Sequence, residues 1–107
     1  MIHELRTYKP VAGRKAALHS RLRDVVTRLF QRHGMTLVAV WDPIVGRQSD
    51  VVYLLRFESL ESRETAWRAF LSDPEWLAAR NESEADGPLI DTIDSVLLSP
   101  TDYSPAA

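Results

Sequence analysis

The sequence predicts an α+β fold of the ferredoxin-like type, a four-stranded antiparallel sheet that carries both helices on one face. Three observations lead to this prediction. Apolar residues alternate or run continuously over short segments, which is typical of strands, and they recur at helical spacing over two longer segments. These segments follow one another in the order β-α-β-β-α-β. Few other chain paths suit this order, because crossover connections have a fixed hand.

The first half of the chain predicts a strand, a long helix and a second strand. Met1–Tyr8 alternates in polarity, and a break with proline and glycine follows it at Lys9–Gly13. From Arg14 to His33 the apolar residues form one helical stripe, and Gly34 favours the left-handed conformation that ends a helix. Met35–Asp42 is almost continuously apolar, which predicts a strand covered on both faces. The helical stripe consists of Leu18, Leu22, Val25, Val26, Leu29 and Phe30.

The second half predicts a strand, a helix in two pieces and a last strand. Asp50–Phe57 is again apolar on both faces and should form an antiparallel hairpin with the preceding strand. Ser59 and Asp73 are typical N-cap residues, so we expect a helix after Ser59 and its continuation from Asp73 to about Arg80. The polar segment that follows predicts a loop. Leu89–Leu98 then predicts the last strand.

Length, charge and cysteine content exclude several classes of protein. The chain has 107 residues, a length typical of one domain, which we assign to residues 1–99 with a C-terminal tail at 100–107. With 13 basic and 15 acidic residues its net charge is −2, which argues against nucleic-acid binding. The absence of cysteine excludes disulfides and thiolate metal sites. No apolar run suits a membrane span and the start lacks a secretory pattern, so we expect a cytoplasmic protein without a membrane partner.

The two middle strands predict a homodimer. They are apolar on both faces, whereas the two helices need only one face of the sheet. The chain has no further element to cover the second face. We therefore expect the second faces of two copies to pack against each other in a closed, symmetric, sheet-on-sheet interface.

Several short segments together carry a resemblance to a known family. They are Ile2–Tyr8, Arg32–Gly34 with Leu37–Trp41, Val51–Leu60, Arg63–Glu64 and Asp73–Trp76. In this order and spacing they resemble domains of the NIPSNAP family, from about Met1 to Trp76 and more weakly through the last strand. The resemblance implies a dimeric α/β-barrel in which two ferredoxin-like subunits join their sheets and each encloses a pocket. Relatives in that superfamily include cofactor-free monooxygenases, isomerases, cyclases and heme-handling enzymes, whereas NIPSNAP domains mostly lack an assigned reaction.

Two positions depart from the pattern of that family. Its members often carry histidine where Tyr53 stands and tryptophan where Leu55 stands. Chemistry that those residues perform in relatives therefore need not occur in this chain, and the smaller Leu55 would enlarge a pocket on its face. The second helix also lacks the histidine expected of heme-handling relatives.

The first strand supplies the main candidates for chemistry. Glu4, Arg6 and Tyr8 share one face of it. Because helix-facing positions tolerate charge poorly, we expect these side chains to point into the barrel interior instead. Arg6 suits a carboxylate, an enolate or a phosphate, and Glu4 is either its partner or a general base whose pKa is raised by burial. The alternative is a structural Glu–Arg pair that fixes strand register or the dimer.

The middle strands supply further candidates. Tyr53 shares a face with Leu55 and Phe57, and its phenol either donates to a developing oxyanion or packs with one satisfied hydroxyl. Trp41, on the same face as Leu37, either lines a pocket or packs in the core or an interface.

The remaining aromatic residues and histidines favour structural roles. We expect Trp67 and Trp76 to pack in the core. His3 lies on the first strand, His19 in the first helix and His33 at the end of that helix, without metal-ligand spacing, so we expect no metal site. The sequence contains no cofactor-binding motif, and we expect no cofactor.

Two functions remain open from the sequence. The first is a cofactor-independent enzyme of isomerase, cyclase or monooxygenase type, acting on a small apolar or aromatic carbonyl compound. Arg6 would polarise the substrate, and Glu4 or Tyr53 would transfer a proton. The second is a non-catalytic ligand-binding or scaffold module. In the first case the pocket would be shaped by Tyr8, Trp41, Leu55 and Phe57.

Overall fold

The computed structural model describes residues 1–105 and has the predicted order of elements. The strands form one antiparallel sheet in the order β2-β3-β1-β4, which confirms the ferredoxin-like arrangement and the hairpin of β2 and β3. The strands are β1 (Ile2–Pro10), β2 (Thr36–Trp41), β3 (Val51–Phe57) and β4 (Ile90–Leu98). The helices are α1 (Lys15–Arg21), α2 (Thr27–Arg32), α3 (Leu60–Leu71) and α4 (Pro74–Ser83), and a π-helical turn (Leu22–Val26) joins α1 to α2.

The predicted helix ends are confirmed. The hydroxyl of Ser59 accepts a hydrogen bond from the Ser62 backbone N–H at 3.1 Å and thereby begins α3. Asp73 accepts from the Glu75 N–H at 2.9 Å, with proline at the first position of α4. Gly34 has φ of +71°, the left-handed conformation that follows a helix C-terminus.

Three element boundaries differ from the prediction. β1 continues to Pro10, which pairs with Ile90 beside a register shift, where a strand tolerates proline. The long helix contains the π-helical turn, which apolar spacing alone does not reveal. α4 extends beyond Arg80 to Ser83, and Arg21 supports this extra turn by donating to the Ser83 hydroxyl at 3.1 Å. In the predicted tail, residues 100–105 form no helix or strand, and residues 106 and 107 lie outside the described residues.

A bulge in β2 changes the predicted position of Trp41. The strand register shifts between Leu37, which is opposite Leu55, and Ala39, which is opposite Leu54. Cross-strand partners share a face, so Leu37 and Trp41 lie on opposite faces of the sheet. The prediction that they share one was therefore wrong, because it assumed an unbroken alternation.

One face of the sheet packs against the helices and forms the core. Phe30 of α2 lies at its centre, with ring centroids 5.8 Å from Tyr53, 5.8 Å from Trp67 and 5.3 Å from Phe70. Edge and tilted aromatic contacts of this kind stabilise a core beyond the area that they bury. On β3, every second residue faces the helices and is buried. These residues are Val51, Tyr53, Leu55 and Phe57.

The opposite face, which we call the uncovered face, carries no described helix; its centre is apolar, and polar residues lie towards the strand ends. Leu5, Val52 and Leu54 lie near its centre and are half-buried. Towards its two edges, Trp41 is 48% exposed and Val96 is 50% exposed. None of the described helices is both long and apolar enough to cross a membrane.

Candidate functional site

Glu4 is the centre of a buried polar network on the helix-covered face. Its side chain is fully buried, and five donors reach its two oxygens. Oε1 accepts from Arg63 Nε at 2.8 Å and from Trp67 Nε1 at 2.9 Å. Oε2 accepts from Arg6 Nη1 at 2.9 Å, Arg63 Nη2 at 3.1 Å and Ser95 Oγ at 2.6 Å. The acceptor capacity of the carboxylate is therefore in use.

These donors keep Glu4 ionised. Burial alone raises the pKa of Glu4, but the hydrogen bonds from Arg63, Ser95, Trp67 and Arg6 outweigh that effect and lower the pKa to about 2. A general base must have a pKa near the working pH and a free lone pair towards its substrate. Glu4 has neither, so its geometry is that of a positioning residue that holds Arg6 and α3 in place.

The first-strand residues face the helices, not the barrel interior as predicted. Arg63 and Trp67 both belong to α3, and both contact Glu4 directly. The prediction that charge avoids the helix-facing side was wrong because α3 itself supplies the compensating cation and N–H donor. The free-energy cost of burying the Glu4 carboxylate on this face is thus offset by its neighbours on α3.

Arg6 is held between two phenols. Its Nε donates to Tyr53 Oη at 2.8 Å and lies 3.3 Å from Tyr8 Oη, to which its Nη2 donates at 3.2 Å. The guanidinium carbon stacks 4.5 Å from the ring centre of Trp67. Burial alone lowers the pKa of Arg6, but the neighbouring Tyr53, Tyr8 and Glu4 raise it, so Arg6 stays cationic. Its hydrogen bonds to described residues use three of its five N–H groups.

The two phenols form a short hydrogen bond with each other. Tyr8 Oη and Tyr53 Oη are 2.6 Å apart. Burial, together with Tyr8, raises the pKa of Tyr53 well above its ordinary value, so Tyr53 is a neutral hydrogen-bond donor. When Tyr53 donates to Tyr8, the hydroxyl hydrogen of Tyr8 is free for a further acceptor.

A cavity of about 120 Å³ opens beside Arg6 and Tyr8, between the sheet and the helices. Trp67 and Trp76 form part of its wall. The exposed side chains of Leu71 and Ile93 stand at its rim, where the cavity meets solvent. The rest of the wall is apolar apart from Arg21: it is formed by Leu22, Val26, Phe30, Phe70 and Ile90.

The π-helical turn contributes two of these wall residues, Leu22 and Val26. Single π-helical turns are frequent at functional sites because they change which side chains a helix presents. Here the turn lies directly over the cavity, so this part of the long helix contributes side chains to the cavity wall as well as to the core.

The other sequence-predicted candidates lie outside the cavity. Glu4 and Tyr53 stand behind Arg6 and Tyr8 and support them through hydrogen bonds. Leu55 is buried in the core. Phe57 lines a separate open groove of about 640 Å³ at the start of α3, and Trp41 lies on the uncovered face.

Sequence reasoning missed three residues of the site and assigned a fourth, Trp67, to core packing alone, and Trp67 does pack against the core. Arg63 and Trp67 are four positions apart on α3, a spacing that places both on one helix face and could have identified them. Arg21 interrupts the apolar stripe three residues after Leu18, which was a second available signal. Ser95 is opposite Arg6 only through the β1–β4 register, which the sequence does not fix.

Within residues 1–105, no group of three or more acidic, histidine or cysteine side chains is placed to hold a metal ion. His33 instead contacts Asp73 at 2.7 Å, and His19 contacts Asp42 at 2.7 Å. The hydrogen bond from His33 outweighs burial and lowers the pKa of Asp73 to about 2. These pairs tie the helix ends and the β2–β3 connection to the body of the fold.

Comparison with known proteins gives a family and a fold. The NIPSNAP family model matches residues 3–105. A NIPSNAP family protein of unknown function from Agrobacterium tumefaciens is 25% identical, with a TM-score of 0.86 over 100% of this chain and 94% of that one. A second NIPSNAP family protein from that organism is 23% identical, with a TM-score of 0.87 over 99% and 98% of the two chains.

A solved structure from a different group of proteins has a more distant similarity to this chain. A candidate antibiotic biosynthesis monooxygenase from Nitrosomonas europaea is 10% identical, with a TM-score of 0.65 over 94% of this chain and 98% of that one. At this identity the likeness shows the fold alone. No curated protein matches the sequence.

Proposed function

The chain belongs to the NIPSNAP family, and we propose that it binds a small, mostly apolar carbonyl compound in the cavity beside Arg6 and Tyr8 and stabilises the enolate form of that compound. The observation that carries this proposal is the pairing of a buried cation and a phenol at one wall of an otherwise aromatic and aliphatic cavity. Ligand sites combine these features, with a few polar groups that fix orientation.

The donors at the site favour an oxygen that becomes negative. Arg6 and Arg63 surround Glu4, and Arg63 also pairs with Glu64 at 3.1 Å, so these charges compensate one another. Two N–H groups of Arg6 meet no acceptor among the described residues. Together with the hydroxyl of Tyr8, they can donate to a carbonyl oxygen and donate more strongly to an enolate.

The size of the cavity limits the ligand. A cavity of roughly 150 Å³ holds a benzene molecule, so the 120 Å³ observed here suits about five non-hydrogen atoms. A longer compound could extend past Leu71 and Ile93 into solvent, because both are exposed at the rim. The ligand class is therefore a small carbonyl compound or the carbonyl end of a larger one.

Proton-shift isomerisation, aldol-type cyclisation and cofactor-free oxygenation of a carbonyl compound can each pass through an enolate, so enolate stabilisation is a step that these reactions share. The test is exchange of the α-hydrogens of butanone with D₂O, followed by proton NMR. In that step the α-proton leaves to water and a deuteron returns to the carbon. We expect the wild type to accelerate exchange and Arg6→Met to lose that acceleration while still folding, because Glu4 keeps its other donors.

One observation favours a second function, ligand binding without turnover. No carboxylate or histidine lines the cavity among the described residues, so a base must come from solvent or from the ligand. In that case butanone binds in an Arg6-dependent manner, as measured by ligand-observed NMR, yet its exchange rate is unchanged. Absence of both binding and exchange would contradict either function.

We also propose that the uncovered face forms the interface of a homodimer. In support, half-buried Leu5 and Leu54 and exposed Trp41 and Val96 form an apolar patch at the middle of this face, and exposed apolar patches are typical of interfaces. A second copy offers the same surface, as a two-fold interface requires. A cytoplasmic location fits the absence of cysteine and stays a prediction.

A further inference from the structure

The strand β4 is exposed on the helix-covered face of the sheet as well as on the uncovered face. Among the described elements, it packs extensively only against β1. Ile93 and Leu97 lie on the helix-covered face, because they are opposite Tyr8 and Glu4 of β1, yet both are almost half exposed. The helix-facing residues of β3 are all buried. The helices therefore leave a strip of apolar surface open along β4.

The helix α3 borders this strip with apolar side chains of its own. Leu60, Trp67 and Leu71 are seven and four positions apart, so they lie along one side of the helix. Trp67, in the middle, donates to Glu4, and Ser95 of β4 donates to the same carboxylate. At the two ends of the helix, Leu60 and Leu71 are 58% and 55% exposed. This side of α3 and the strip along β4 therefore meet over Glu4 and border one seam.

The cavity beside Arg6 opens into one end of this seam. Leu71 of α3 and Ile93 of β4 line the cavity. Their counterparts further along the seam, Leu60 and Leu97, do not. The cavity itself holds about five non-hydrogen atoms. A ligand whose carbonyl oxygen lies on Arg6 therefore fills the cavity with its first carbons, and any further carbons leave at Leu71 and Ile93.

Resting on the proposed function, we propose that the ligand is a carbonyl compound with an unbranched aliphatic chain, which leaves the cavity between Leu71 and Ile93 and packs on both. These side chains are aliphatic and belong to separate elements, so they contact such a chain from two sides. Covering them removes apolar surface from water, which favours binding. The homodimer proposed above uses the other face of the sheet, so it leaves this seam open to a ligand.

The test compares butanone, 2-hexanone and 2-octanone by ligand-observed NMR on the full chain. These probes share the carbonyl end and differ only in the length of the chain. One fully buried methylene strengthens binding by about fourfold, and here the mouth of the cavity is partly open to solvent. We therefore expect 2-hexanone to bind about fivefold and 2-octanone at least about tenfold more tightly than butanone. Equal affinity for all three ketones would overturn the proposal.

A variant of α3 locates the chain of the ligand on the protein. Leu71→Gln should reduce the preference for 2-octanone over butanone from at least about tenfold to below about threefold, because it replaces an aliphatic contact with a polar one. Leu60→Gln is the matched control, since Leu60 lies on the same side of α3 and is equally exposed but does not line the cavity. It should leave the preference unchanged. Equal effects of the two variants would contradict the path of the chain.

A second pair of variants repeats the comparison on β4. Ile93→Thr keeps a β-branched side chain but shortens its aliphatic part, so it should weaken 2-octanone binding by about three- to fivefold more than butanone binding. Leu97→Thr is the control, because Leu97 is on the same face and almost equally exposed but lies about 13 Å further along the strand. A larger effect of Leu97→Thr than of Ile93→Thr would contradict the proposal.

The outcomes separate this inference from the proposed function. If butanone binding is lost in Arg6→Met but chain length has no effect in the wild type, this inference fails and the proposed function stands. If none of the three ketones binds, both fail. If Leu71→Gln converts a dimer to a monomer in native mass spectrometry, a second copy occupies the seam and this inference fails alone.

Discussion

The two faces of the sheet differ in polarity, although neighbouring residues of the same strand, β1, contribute to both. On the helix-covered face, β1 places Glu4, Arg6 and Tyr8 among aromatic rings, and α3 supplies hydrogen-bond donors to Glu4. On the uncovered face, β1 places Leu5 with apolar neighbours that no described element covers. The buried side is therefore polar at its centre and the open side is apolar at its centre. The proposed ligand site rests on the first of these features, and the proposed homodimer rests on the second.

The largest expected effect comes from removing the centre of the covered network. Glu4→Ala leaves Arg6 and Arg63 without their buried counter-charge, so the free energy of unfolding should fall by about 3–5 kcal/mol in urea denaturation. The matched control is Glu64→Ala, since Glu64 also contacts Arg63, at 3.1 Å, but is exposed. It should change stability by less than about 1 kcal/mol. Equal effects of the two variants would show that burial of Glu4 does not matter.

Acid should weaken the same network in a defined range. The pKa of Glu4 is about 2 in the folded chain against an ordinary value of 4.5, so its stabilisation is present above pH 4.5 and is lost as pH falls towards 2. The loss should amount to roughly 2–3 kcal/mol after allowance for solvent screening. Because Asp73 also has a pKa near 2, the measurement is the difference between wild type and Glu4→Gln. If the free energy of unfolding falls in parallel for wild type and Glu4→Gln over this pH range, the assignment of the lost stabilisation to Glu4 is wrong.

A smaller effect should follow from removing one phenol. Tyr53→Phe takes away the acceptor of Arg6 Nε at 2.8 Å and the hydrogen-bond partner of Tyr8. We expect a loss of about 1–2 kcal/mol in thermal or chemical unfolding, because Tyr8 Oη remains within reach of Arg6. A loss of stability larger than that of Glu4→Ala would show that the phenols, and not Glu4, contribute most to the stability of the network.

The smallest expected effect on the stability of the chain lies on the uncovered face. Val96 is 50% exposed, so Val96→Glu should change intrinsic stability by about 0.5 kcal/mol or less. If this face forms the dimer, the same change should convert dimer to monomer in native mass spectrometry. Leu97→Glu is the control, because Leu97 is 43% exposed but lies on the other face of β4. A dimer that survives both variants, or is lost in both, would refute the proposed interface.

The sequence predicted the element order, the antiparallel sheet and the helix caps, since periodicity and N-cap chemistry are local signals. It also singled out Glu4, Arg6, Tyr8 and Tyr53, which the structure brings into one network. It assigned the first-strand residues to the wrong face because a strand pattern tells which residues share a face but not which face is covered.

The remaining parts of the site depend on tertiary register. Ser95 reaches Glu4 only because β4 pairs with β1 in one register, and Trp41 leaves the face of Leu37 only because of the bulge in β2. The role of Arg21 depends on α4 extending to Ser83, which is also a tertiary effect. None of these contacts has a signature in local sequence.

The three tryptophans allow one direct test of the central claim, that the cavity of the covered face is the ligand site. Trp67 and Trp76 line the cavity, whereas Trp41 lies on the uncovered face. In a ¹H–¹⁵N spectrum of the wild type titrated with butanone, the indole signals of Trp76 and Trp67 should shift with one common dissociation constant. The signal of Trp41 should stay in place. Absence of a shift at Trp67 and Trp76, or a saturable shift at Trp41 alone, would contradict the account.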